Sequence, residues 1–152
     1  MHINTAPREL LKSKAIALIS ASGGVGKTTL AITFAYYAVK ERKARRVLLV
    51  DLDPTAGLSL LALGDEIYEH CVEQRRTLSD MFENYQCGCN VRIEDFVVKL
   101  PHPKATIGEL RANLLIPGER LIDVVNELWK SSYAGKKFEI FLDKAGTYSK
   151  YD

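Results

Sequence analysis

The sequence lacks several features that mark whole classes of protein. It has only three cysteines, Cys71, Cys87 and Cys89, and this odd number argues against a disulfide framework. It has no apolar run long enough to cross a bilayer, and residues 1–14 contain no apolar signal-peptide core. Neither charge sign dominates, because 21 Lys and Arg face 19 Asp and Glu. We therefore expect a cytoplasmic protein with reduced thiols, whose net charge neither indicates nor excludes a nucleic-acid partner.

The length allows one globular domain. The chain has 152 residues, of which 47% are hydrophobic, so it can build one core but is too short for two ordinary domains. It contains no internal repeat and no low-complexity tract. We predict an N-terminal extension at residues 1–14 and a single domain at residues 15–152.

The first third of the domain predicts a strand, a glycine-rich loop, a helix and a second strand. Residues 15–20 form a nearly continuous apolar run, which is typical of a strand buried on both faces of a parallel sheet. Residues 28–40 contain no Gly or Pro and are apolar nearly all round, which favours a buried helix. Residues 46–51 are β-branched and apolar, as in a second buried strand. This order predicts a right-handed βαβ unit.

The rest of the chain gives weaker patterns. Short helices are predicted at residues 57–63 and from residue 78 onward, and one short element at residues 93–100 lies among predicted loops. Residues 112–116 predict a third strand, and residues 119–130 have helical spacing. The apolar run at residues 138–143 predicts a fourth strand. Alternating strands and helices of this kind indicate an α/β fold.

The loop Gly23-Gly24-Val25-Gly26-Lys27-Thr28 has the composition of a phosphate-binding loop. Its glycines let the backbone approach phosphates closely, Lys27 reaches the β- and γ-phosphates, and the Thr28 hydroxyl ligates Mg²⁺. The alternative is a glycine-rich turn that merely opens a helix. The Gly-Lys-Thr ending after a buried strand favours a site for a nucleoside triphosphate with Mg²⁺.

Two motifs together resemble one family. The general phosphate loop has a glycine where this chain has Ala21, and this chain has the pair Gly23-Gly24 instead. With the later motif Val47-Leu48-Leu49-Val50-Asp51-Leu52-Asp53-Pro54, this variant resembles the ParA/MinD family of P-loop ATPases, which segregate plasmids and chromosomes or place division sites. Asn113-Leu114-Leu115-Ile116-Pro117-Gly118 looks like the third strand of that family, and Phe141-Leu142-Asp143 with Gly146 looks like its Walker B strand.

The resemblance implies a fold and a set of site residues. The fold would be a three-layer P-loop NTPase, with a doubly wound, mainly parallel sheet and helices on both faces. The loop from Gly23 to Lys27 would bind the phosphates of ATP or ADP, and Thr29 would contact the α-phosphate. Thr28 would ligate Mg²⁺, with Asp51 and Asp143 near the metal through water.

Catalysis, by the same resemblance, would rest on Lys27 and on Asp53, which would position the attacking water. The residues alone leave other roles open for the carboxylates. Asp53 before Pro54 is also found in turns, and Asp143 is also found as a carboxylate that closes a strand, although the motifs favour the functional roles.

The resemblance also implies partners: a homodimer that forms on ATP binding, a ParB-like protein and non-specific DNA. We expect no membrane contact, because residues 149–152 are too short and polar for an amphipathic terminal helix. A basic cluster at the end of the first helix is interpreted either as a solvated helix end or as a DNA-backbone contact, and comprises Lys40, Arg42, Lys43, Arg45 and Arg46.

Two departures limit the resemblance. Family members usually have Lys at the position of Ser22, where it reaches the partner's phosphates, and they continue well beyond the Walker B strand. We therefore expect a domain that is incomplete at its C-terminal end. Two functions follow: a ParA-type ATPase in DNA partition, or a regulatory module that holds nucleotide with little hydrolysis.

Overall fold

The computed structural model describes residues 14–20, 23–41, 46–100, 112–130 and 132–151. The helices are α1 (Lys27–Lys40), α2 (Gly57–Leu63), α3 (Asp65–Glu73), α4 (Leu78–Gln86), α5 (Leu121–Trp129), α6 (Ala134–Lys144) and α7 (Thr147–Lys150), and one 3₁₀ turn spans Ile93–Asp95. The strands are β1 (Val47–Val50), β2 (Val98–Lys99) and β3 (Ala112–Leu115). The predicted helices at residues 28–40, 57–63, 78 onward and 119–130 are confirmed within a few residues.

The described sheet has three strands in the order β1-β3-β2. Strands β1 and β3 are parallel, with Val47 opposite Ala112 and Val50 opposite Leu115, and β2 runs antiparallel to β3. The strands predicted at residues 46–51 and 112–116 are confirmed. The predicted doubly wound, mainly parallel sheet is present only in part, as a small mixed sheet.

Helices cover both faces of the sheet. Successive residues of a strand point to opposite faces, so neighbouring residues of β3 enter different cores. On β3, Leu115 lies in a core with helices α4, α5 and α6 that includes Phe82 and Phe141. Leu114 lies in the other core, with Leu58 of α2 and Cys71 of α3. The chain therefore forms a layer of helices on each face of the sheet.

Residues 15–20 do not form the predicted strand. This segment has no regular secondary structure, and the side chains of Ile16 and Ile19 are 74% and 89% exposed. An apolar run becomes a buried strand only where a neighbouring strand supplies its hydrogen bonds. In the described part of the sheet, β1 is bonded only to β3, and no strand lies beside residues 15–20.

The strand predicted at residues 138–143 is also wrong, because these residues belong to α6. Phe138, Phe141, Leu142 and Ala145 contact one core, and their spacing of three and four residues is that of one helix face. The run resembles a strand because Phe138, Ile140 and Leu142 alternate along it. In the structure, however, Ile140 is 41% exposed.

No helix in the described segments is long and apolar enough to cross a membrane.

Candidate functional site

The glycine-rich loop lies open at the start of α1. Gly24 and Gly26 have φ angles of +70° and +86°, a conformation that a side chain disfavours. A Cβ placed on Gly23, Gly24 or Gly26 would meet no heavy atom of the described residues within 4 Å. The backbone of this loop is therefore accessible to a ligand that approaches it closely.

The N-terminal end of α1, which is the positive end of the helix dipole, adjoins the loop. The helix begins at Lys27, with Gly26 as the N-cap, and the Gly26 carbonyl accepts a hydrogen bond from Leu30 N at 2.9 Å. Among the described residues, no side chain caps this end and no acidic residue lies in the first turn. Backbone N–H groups and the helix dipole together favour an anion at such a position.

The predicted phosphate and metal residues follow in the first turn of α1. Lys27 and Thr28 are half-buried and Thr29 is exposed. The Thr29 carbonyl accepts the Thr33 hydroxyl at 2.7 Å, one helical turn later. The turn therefore presents a cation and two hydroxyl side chains directly after the glycines.

Asp53 lies in a tight turn after β1. One carboxylate oxygen accepts the Thr55 backbone N–H at 2.9 Å and the Thr55 hydroxyl at 2.7 Å, and the Asp53 carbonyl accepts Ala56 N at 2.9 Å. The turn role anticipated for Asp53 is thus confirmed. The two bonds from Thr55 lower the pKa of Asp53, burial opposes them, and the charge of Lys27 lowers the pKa further. An exposed, ionised carboxylate therefore lies within electrostatic range of the loop lysine.

Asp51 is buried and bonded at both oxygens. One oxygen accepts Asp53 N at 3.1 Å, and the other accepts Ser59 N at 2.9 Å and the Ser59 hydroxyl at 2.7 Å. Its exposure is only 3%. Because Ser59 lies in the first turn of α2, Asp51 supplies the cap that the helix lacks locally. The predicted role of Asp51 near a metal stays a prediction beside this structural role.

Asp143 does not lie at the end of a strand. It is an exposed residue of α6. Burial raises the pKa of Tyr148 in α7, and the charges of Glu139 and Asp143 raise it further. The strand-end position from which its metal role was predicted is therefore absent.

The predicted metal residues Thr28, Asp51 and Asp143 stay a prediction. Within the described segments, no group of three or more His, Cys, Asp or Glu side chains is arranged to hold a metal ion.

Sequence reasoning missed Ser59 and Thr55. The Asp-Pro-Thr sequence is a recognisable signal for the Asp53–Thr55 turn, because Asp side chains bond the backbone two residues later. No comparable signal links Ser59 to Asp51, eight residues earlier in the chain. The unusual backbone of Ala56, with φ +53°, was also not evident from the sequence.

Part of the predicted basic cluster lies outside the described residues, as do Ala21 and Ser22. This part comprises Arg42, Lys43 and Arg45. Lys40 lies over the rings of Tyr36 and Tyr37, with its Nζ 5.4 and 5.8 Å from their centroids. This contact favours the interpretation of Lys40 as part of a packed helix end.

Comparison with known proteins finds a matching family model, a related sequence and a partly similar structure. The family model described as the CobQ/CobB/MinD/ParA nucleotide binding domain matches residues 16–145. The chain is 53% identical over 55 residues to the chromosome-partitioning ATPase Soj of Thermus thermophilus. The aligned segment covers 34% of this chain and 21% of that protein. The chain therefore spans about a fifth of the length of this relative. The crystal structure of a Corynebacterium diphtheriae protein aligns with a TM-score of 0.46 and 25% identity, over 71% of this chain and 37% of that one.

Proposed function

Because the chain belongs to the CobQ/CobB/MinD/ParA nucleotide-binding family, we propose that it binds ATP or ADP with Mg²⁺ through the loop at residues 23–28. The observation that carries this proposal is the open glycine backbone, with left-handed Gly24 and Gly26, at the start of α1, where none of the described side chains caps the helix. Phosphate oxygens are the ligands that such a loop and helix end hold best.

The residues present fit a nucleotide phosphate chain. The loop backbone and Lys27 would hold the phosphates, since Lys27 supplies a positive charge directly beside the glycines. The Thr28 hydroxyl would ligate Mg²⁺. When bound, Mg²⁺ neutralises charge on the phosphates during phosphoryl transfer.

Asp53 is proposed to orient the attacking water. It remains ionised at neutral pH, because the Thr55 bonds and the Lys27 charge lower its pKa, and it is exposed at the carboxyl end of β1. Its second carboxylate oxygen is not used by Thr55 and can accept a hydrogen bond from water. Asp51 accepts the Asp53 backbone N–H and so anchors the turn, while the Thr55 bonds hold the Asp53 carboxylate itself.

We extend the proposal to DNA partition. The similarity to a protein named as a chromosome-partitioning ATPase supports a role in segregating a plasmid or chromosome. In that role the chain would pair with a second copy on ATP binding, contact a ParB-like protein and bind DNA without sequence preference. The basic residues after Lys40 are the candidate DNA contact in this sequence, namely Arg42, Lys43, Arg45 and Arg46.

Phosphate release in a steady state, measured together with the nucleotide retained after gel filtration, tests the ATPase proposal. Repeated release of phosphate, with ADP exchanged freely, supports an ATPase. A stoichiometric nucleotide that stays bound through many minutes without phosphate release supports the second candidate, a module that holds nucleotide as a switch.

Ser22 favours that second candidate. The family resemblance places a lysine there that crosses to the partner's phosphates, and a serine hydroxyl cannot supply the charge. A cation contributed in trans is worth on the order of a thousandfold in rate for related phosphoryl transfers. A matched comparison of the parent with Ser22→Lys therefore separates the two candidates: a large gain in turnover identifies the missing cation, and equal turnover shows that it is not needed.

A further inference from the structure

Two exposed thiols, Cys87 and Cys89, lie together at the end of α4, and the proposed nucleotide site does not use them. Helix α4 begins against the loop after β3, where Leu78 N donates to the Ile116 carbonyl at 2.8 Å. Its nine residues carry the chain about 13 Å along the helix axis, at about 1.5 Å per residue. The two thiols are therefore at the opposite end of α4 from that loop.

The backbone between the thiols is held in a defined turn. Cys87 is the C-cap of α4, and Gly88 follows with a φ of +76°. Gly88 N donates to the Tyr85 carbonyl at 3.1 Å, and Cys89 N donates to the Asn84 carbonyl at 3.0 Å. This pair of bonds is the Schellman motif, in which a left-handed glycine reverses the chain at a helix end.

The chain reversal at Gly88 places the Cα atoms of the two cysteines at a separation compatible with a disulfide. Two Cα–Cα steps of about 3.8 Å, folded back at a left-handed residue, leave the outer Cα atoms roughly 5–6 Å apart. Disulfides join residues whose Cα atoms lie about 4.4–6.8 Å apart. A disulfide across a single residue closes a small ring, and strained, exposed disulfides are the ones that are readily reduced.

The surroundings favour thiol exchange over metal binding. Among the described residues, no third Cys, His, Asp or Glu joins the pair in a group that could hold a metal. Cys71 is different, because it is 3% exposed and burial raises the pKa of its thiol, with an opposing effect of Arg76. Buried thiols of that kind react slowly, so the chain carries its own unreactive reference.

We propose that Cys87 and Cys89 form a reversible thiol–disulfide site whose co-reactant is a low-molecular-weight disulfide. One protein thiolate attacks a sulfur of the small disulfide, forms a mixed disulfide and releases one small thiolate. The second protein thiolate attacks the protein sulfur of that mixed disulfide and releases the other small thiolate. Two protein thiols are thereby oxidised, one small disulfide is reduced to two small thiols, and the two protons pass to those leaving groups.

Equilibration of the full chain with oxidised and reduced glutathione, followed by acid quenching and mass spectrometry, tests this proposal. We expect a monomer that is lighter by two hydrogen atoms, with the bond mapped to the peptide containing residues 87 and 89, and with Cys71 still reduced. Cys87→Ser and Cys89→Ser should instead accumulate the mixed disulfide, at least about tenfold more than the parent, because neither has the second thiol. Both residues are exposed, so these variants should fold like the parent.

Gly88→Ala provides a second test of the disulfide in the same experiment. The new Cβ meets no described atom within 4 Å, but the left-handed φ is unfavourable for alanine, so the closed form should decrease while the thiols remain exposed. A parent that accumulates glutathione adducts as strongly as the single-cysteine variants would overturn the proposal. Bonds formed only between two chains, or oxidation of Cys71 as fast as of the pair, would also overturn it.

Discussion

The buried carboxylate of Asp51 accepts the hydroxyl of Ser59 at 2.7 Å and the backbone N–H of the same residue at 2.9 Å. This contact joins the end of β1 to the first turn of α2, across the turn that carries Asp53. Both groups are almost inaccessible, with exposures of 3% for Asp51 and 0% for Ser59. The position of Asp53 therefore depends on a buried clamp that neither residue forms alone.

Ser59→Ala should weaken the fold by about 1.5–3 kcal/mol, because it removes a hydrogen bond to a buried, charged group. Urea denaturation measures this change in the free energy of unfolding. Ser149→Ala is the matched control, since the Ser149 hydroxyl also donates at 2.8 Å but to an exposed carbonyl, that of Gly146. Equal losses in the two variants would show that the Asp51–Ser59 contact adds no special stability.

Asp53→Ala should leave nucleotide affinity nearly unchanged and lower turnover by about a hundredfold or more, because it removes the group proposed to orient water. Calorimetric affinity and phosphate release, measured on the same preparation of an active form, give the two quantities. Glu66→Ala, at an exposed acid of α3, is the control for a general loss of negative charge. If affinity collapses while turnover per bound nucleotide stays constant, Asp53 acts only through its turn.

Acid should remove a contribution of Asp53 to stability. Its pKa is lowered in the folded chain by the Thr55 bonds and by Lys27, so the ionised form stabilises the fold. That contribution is complete above the unfolded pKa of about 3.9 and disappears as the pH falls through the lower folded value. The difference in unfolding free energy between the parent and Asp53→Asn should therefore shrink below about pH 4. A difference that stays constant through this range would contradict the assignment.

The assignment of residues 134–144 to helix α6 predicts an interaction between Phe138 and Phe141, whose ring centroids are 6.0 Å apart. Residues three apart share a face in a helix but lie on opposite faces of a strand. Phe141→Ala should cost about 3–5 kcal/mol, and a double-mutant cycle with Phe138→Ala should give a coupling of about 0.5–1.5 kcal/mol. Strictly additive losses would argue against the helix.

The helices and the paired strands were predictable because their signals are local. Residues 27–40 combine a glycine-rich entry with a run that contains no Gly or Pro, and β1 and β3 are short β-branched or apolar runs bounded by Pro and charge. The glycine-rich loop proposed to bind phosphate was equally visible in the sequence, since its glycines and Lys27-Thr28 are contiguous.

The errors came from features that a local pattern cannot decide. Residues 15–20 are apolar enough for a buried strand, but a strand also requires a neighbour that lies far away in the sequence. In residues 138–143, the apolar side chains satisfy both a strand and a helix face until Ala145 is included. The Asp51–Ser59 clamp was missed for the same reason, because only the folded turn brings those residues together.

Calorimetric titration of the chain with Mg-ATP, beside Lys27→Ala, tests the central claim most directly. We predict stoichiometric binding by the parent and a loss of affinity of about two orders of magnitude or more in Lys27→Ala, because the loop then lacks the cation adjoining its glycines. Lys40→Ala, at the other end of α1, should bind like the parent. Equal affinity in Lys27→Ala and the parent would contradict the assignment of this loop as the nucleotide site.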